Sequence, residues 1–106
     1  MESHEFVHMV RDVLDAEAAV RERTADEVTD RLSAYSPAQV SALATLLSAA
    51  AVCEKETAVL EADLHAILEL MSTGHVTRDH LSPLCEIRLE ELPSTLREYV
   101  TDLLEG

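Results

Sequence analysis

A chain of 106 residues with 47% hydrophobic residues, two glycines and three prolines has material for one core and few helix breakers, which excludes both disorder and a multidomain architecture. Twenty-one acids stand against eight bases, a formal charge of −13, and the only aromatic residues are Phe6, Tyr35 and Tyr99. Nucleic acid is excluded as a partner, because phosphate binding needs clustered Lys and Arg and base stacking needs aromatic platforms.

Ser3 is placed to cap a first helix whose apolar stripe is Phe6, Val10, Val13, Ala16 or Glu17, and Val20, running to about Glu22. Glu2, Glu5, Asp12 and Asp15 occupy the start, where a secretory signal needs a basic end and an apolar run, so a cytoplasmic location is expected. Thr24-Ala25-Asp26-Glu27 reads as a capping box opening a second helix with Val28, Leu32 and Tyr35 inward. One long kinked helix is the alternative for this region.

Ser36-Pro37-Ala38-Gln39 is a second capping box, strengthened by proline at the first helical position. It opens a helix carrying Val40, Leu43, Leu46, Leu47 and Ala50, within a stretch from Leu32 to Cys53 that has no charged residue. Ser, Thr and Gln are too frequent there, and Pro37 too disruptive, for a membrane span, so no membrane association is expected. A central helix covered by its neighbours, or by a second subunit, is the reading that remains.

A fourth helix is expected from near Glu54, with Leu60, Leu64, Ile67, Leu68 and Met71 inward and Gly74 closing it in a left-handed conformation. Its acids Glu54, Glu56, Glu61 and Asp63 are read as lying off the stripe. Thr77 caps a short helix through Leu81, and Pro83 restarts the chain into a segment holding Leu84, Ile87 and Leu89. A last helix from about Pro93 turns Leu96, Tyr99, Val100, Leu103 and Leu104 inward. The fold expected is all-α, one domain over residues 1–106, with five or six helices stacked as antiparallel hairpins in a bundle or HEAT-like arrangement.

His4-Glu5-Phe6-Val7-His8 matches the H-E-x-x-H pattern, in which two imidazoles four apart on a helix hold zinc and the glutamate activates its bound water. Glu27, 19 residues beyond His8, stands near the place of a third ligand. The motif begins at residue 4, with no strand before it to shape a cleft, and a solvent-facing helix start is the preferred reading; a minimal zinc peptidase is the minor one. His65, His75 and His80 read as ordinary histidines, and Cys53 and Cys85 as free thiols without C-x-x-C spacing. No nucleophile elbow, phosphate-binding glycine loop or dinucleotide fingerprint is present, so neither enzymatic activity nor a cofactor is expected.

Charge falls in two blocks, nine acids with four bases over residues 1–31 and twelve acids with four bases over residues 54–106. Within the second, Glu54, Glu56, Glu61 and Asp63 form one dense group and Glu86, Glu90 and Glu91 another. Each is either a solvated face or a patch that steers a basic protein onto the surface. In type, through the segments from Leu64 to Leu70 and from Leu96 to Leu104, the chain resembles the small acidic helical immunity proteins that neutralise bacterial toxins. That resemblance implies a basic protein partner, such as a nuclease toxin whose nucleic-acid cleft the carboxylates plug; it lacks the paired tyrosines of the colicin-nuclease group. A module that self-associates as a homodimer through the segment from Leu32 to Cys53 is the competing class.

Overall fold

In the computed structural model, which describes residues 1–106, the chain forms α1 (Ser3–Val13), α2 (Ala18–Asp30), α3 (Pro37–Cys53), α4 (Thr57–Met71) and α5 (Ser94–Glu105). Short 3₁₀ segments follow at Leu32–Ala34, Arg78–Glu86 and Leu89–Glu91, and there is no strand. The all-α expectation is met.

The capping chemistry at Ser36 forms as read. The Gln39 N–H donates to Ser36 Oγ at 3.2 Å, the Ser36 N–H donates to Gln39 Oε1 at 2.9 Å, and Pro37 takes the first helical position. From this start α3 runs through the middle of the molecule and buries Val40, Leu43, Ala44, Leu47, Ser48 and Ala51. The absence of charge at these six positions follows from that burial, because a charge there would have to leave water without a partner. What α3 leaves exposed is small and uncharged: Pro37, Ala38, Ala42, Thr45, Ala49 and Cys53.

The first 31 residues are divided differently from the sequence reading. Glu2, not Ser3, is the residue before α1, without a side-chain cap, and α1 stops at Val13 rather than near Glu22. Asp15 causes the break: its Oδ1 accepts the Glu17 N–H at 2.9 Å, an Asx-type turn that competes with helix continuation. The stripe of α1 shifts with it, and Met9 and Val13 are its fully buried members. The Thr24–Glu27 capping box does not form, because α2 is already two turns old there. Thr24 Oγ1 donates back to the Val20 carbonyl at 2.7 Å, and Thr24, Ala25 and Val28 make the buried face of α2, the helix lying most extensively against α4. Burial of that face overrides the local cap signal.

Helix α4 begins at Thr57, three residues later than expected, since Glu54 and Glu56 are extended. Gly74 takes a φ of +82°, the left-handed conformation that closes the helix. The segment opened by Thr77 continues as 3₁₀ through Pro83, with the Thr77 N–H donating to His80 Nδ1 at 2.9 Å. Its Leu81 and Leu84, which eclipse on a 3₁₀ helix, are both buried, and the segment lies against α3. One cluster of 19 buried residues, from Met9 on α1 to Leu103 on α5, forms the core. No helix is long and apolar enough to cross a membrane.

Candidate functional site

The acids singled out in the sequence divide by environment. Glu54 is interior: only 4% of its side chain is exposed, and Arg21 of α2 grips it with two hydrogen bonds of 2.8 and 3.0 Å. The backbone N–H groups of Lys55 and Glu56 add two more to Oε2, each 3.1 Å. Burial pushes this carboxyl up, but the Arg21 bond, the two backbone bonds and the Arg21 charge together hold it below the usual range. Arg21 also donates to the carbonyls of Asp15 and Ala16 at 2.9 and 3.0 Å, so it ties the α1–α2 turn to the α3–α4 turn.

Asp63, expected off the stripe, is instead on the buried face of α4 with 3% of the residue exposed. Its carboxyl is pushed from the ordinary 3.8 up to about 8, first by burial and then by the charge of Glu54, against a smaller lowering by Arg21. Position explains it. Asp63 stands three residues after Leu60 and four before Ile67, both buried, and so shares their side of the helix. Neither Glu54 nor Asp63 is available to a partner in the way the sequence suggested.

Glu56, Glu86 and Glu91 are exposed and meet around the α3–α4 turn, lining with Glu54 two adjoining grooves of about 460 and 350 Å³. Lys55 lines both grooves and Arg88 one of them, with Arg88 3.7 Å from Glu91. The charge there is mixed. Glu90 is exposed but stands outside both grooves.

A purer negative surface lies between α2 and α4, where Glu22, Asp26 and Glu61 line one groove of about 270 Å³ with Ala58, Ala62 and His65. No Lys or Arg lines it. Glu61 was expected to be available; Glu22 and Asp26 were not singled out. Their spacing of four residues was the available signal, obscured because the first helix was read as ending at Glu22 and a new one as starting at Thr24.

His4 and His8 are exposed on α1 with ring centroids 4.7 Å apart, edge to face. Glu5, which a zinc peptidase would need as its base, is 3.1 Å from Arg31, and His8 Nδ1 accepts from Arg11 at 3.1 Å. No group of three or more His, Cys, Asp or Glu side chains is placed to hold a metal ion. His65 Nδ1 lies 3.2 Å from the Tyr99 hydroxyl and its Nε2 3.8 Å from Glu69, His80 caps the 3₁₀ segment, and His75 is exposed. Cys53 and Cys85 are free and exposed. Comparison of the chain with protein-family models, with curated proteins and with solved structures gives no match. The class that fold and surface define is an acidic all-α bundle.

Proposed function

We propose that this chain is a protein-binding domain that occupies and blocks a basic partner, in the manner of the immunity proteins it resembles in type. The observation that carries the reading is the α2–α4 groove, where Glu22, Asp26 and Glu61 converge from two helices with no Lys or Arg among the lining residues. Carboxylates gathered on a helical frame present negative charge where a cationic cleft would take phosphates, and the uncompensated field accelerates encounter with such a cleft. Only three Arg–Glu ion pairs occur in the whole molecule, which leaves most of the 21 acids free to contribute to that field.

The test is affinity capture from the native cell extract at low salt, followed by elution with rising salt. One basic protein should be recovered, released as ionic strength increases, and its activity should be suppressed by a stoichiometric amount of this chain. Recovery of no basic protein, or of one whose activity is untouched, overturns the reading.

A further inference from the structure

Three large apolar side chains are exposed: Val7 at 64%, Leu14 at 58% and Leu68 at 44%. Val7 lines none of the grooves described above, and the groove at Leu14 contains Arg21 and Lys55, with Arg21 already bound to Glu54. Leu68 differs. It lies in a groove of about 410 Å³ between α4 and α5, with Met71, Tyr99 and Leu103 as further apolar lining and Glu98 and Asp102 as its charged residues.

Burial raises the Tyr99 phenol, and the charges of Glu69 and Glu61, which stand outside the groove lining, raise it further. The His65 contact at 3.2 Å holds the Tyr99 ring in place before any ligand arrives. On α5 the lining runs from Thr95 to Leu103, which is about 12 Å of helix at 1.5 Å per residue, or a little over two turns.

Resting on the reading of this chain as the binder of a basic protein, we propose that the α4–α5 groove receives an amphipathic helix of that partner. One or two apolar side chains, spaced three or four residues apart, seat between Leu68, Met71, Tyr99 and Leu103, and flanking Lys or Arg residues meet Glu98 and Asp102. The charges select this occupant. A second copy of the chain would bring acid against acid, and an anionic membrane surface is repelled for the same reason. An extended peptide finds no sheet edge to pair with in an all-α fold.

The probe is a labelled Leu/Lys peptide patterned with an apolar helical face, compared with a scramble of the same composition that has none; binding to the full chain is followed by fluorescence anisotropy. The patterned peptide should bind more tightly than the scramble, and roughly 1 M NaCl, where the Debye length is about 3 Å, should weaken it. Leu68→Asp adds negative charge to an exposed position, so a purely electrostatic complex would keep or gain affinity. The groove predicts a loss of roughly tenfold or more. Glu98→Lys with Asp102→Lys should also lose affinity and flatten the salt dependence.

Unchanged binding by Leu68→Asp, with loss in Glu22→Lys, overturns the groove while leaving the basic-partner reading intact. Binding lost in Leu68→Asp but indifferent to salt and to Glu98→Lys overturns the basic partner and keeps an apolar one. Absence of binding by either peptide overturns the groove, while the basic-partner reading stands or falls by the capture experiment. Self-association of the unliganded chain that Leu68→Asp abolishes would replace the partner helix by a second copy and overturn the proposal.

Discussion

Arg21 joins two turns that are far apart in the chain, receiving Glu54 on one side and the Asp15 and Ala16 carbonyls on the other. Its truncation leaves the Glu54 carboxylate interior with only its backbone donors, and an interior charge stripped of its counterion is far more costly than an exposed one. Arg21→Ala should therefore lower the urea midpoint clearly. Arg31→Ala, which removes the exposed pair with Glu5, should cost no more than about 0.5 kcal/mol. Equal losses in the two variants would show that Arg21 is an ordinary surface cation.

Asp63 gives the second prediction at this scale. The unfolded chain releases its proton near 3.8 and the folded chain near 8, so between these values the folded state binds more protons and stability falls as pH rises, levelling off above about 8. The slope is at most about 1.4 kcal/mol per pH unit. Glu54, whose folded value is lowered from the ordinary 4.5, acts with the opposite sign: its contribution is present above 4.5 and is lost as pH falls through the folded value. Asp63→Asn should match the parent near pH 4 and exceed it near pH 8 in urea denaturation; an unchanged difference between those pH values would contradict the assignment. The position of Asp63 is legible from its spacing to Leu60 and Ile67, but an acid on a helix reads as lying off the apolar stripe. Its distance in sequence hid the Arg21–Glu54 pair, since nothing local links residues 33 apart.

At the scale of elements, two capping boxes looked alike in sequence and only one exists. Ser36 is followed by Pro37, which cannot continue a preceding helix and is preorganised to start one, so local chemistry and chain geometry agree. Thr24, Ala25 and Val28 are the buried residues of a helix that begins at Ala18, and the helix passes through. Ser36→Ala should cost about 1 kcal/mol, as losing a cap does. Glu27→Ala, in which a working box would lose its reciprocal bond, should stay within about 0.5 kcal/mol because Glu27 is an exposed mid-helix residue. Chemical denaturation of the two variants side by side decides it. Helices α3, α4 and α5 were legible because their apolar spacing and their stops, Gly74 above all, are local signals. Leu68, however, expected inward with the α4 stripe, is 44% exposed because the buried face turns through Leu60, Asp63, Leu64 and Ile67 instead. The α1–α2 break was not, because it depends on an Asp15 turn steadied by Arg21 from the following helix.

At the scale of the molecule, the fold class was set by the helical periodicity and the scarcity of glycine, whereas the pairing of α2 with α4 was invisible, and with it the convergence of Glu22, Asp26 and Glu61. That convergence has a cost. Carboxylates held together by the fold repel each other in the native state and separate when the chain unfolds, so the binding surface should itself be destabilising. Asp26→Lys places a cation between Glu22 and Glu61 and should raise stability by on the order of 0.5 kcal/mol at low salt, with the gain shrinking as salt screens the repulsion. The same substitution should weaken the hold on a basic partner. Thermal denaturation at low and high salt, run beside capture of that partner, measures both. A variant that gains stability and keeps its partner would move the binding surface away from the α2–α4 groove; one that gains stability and loses the partner ties the acidic field to function at the expense of the fold.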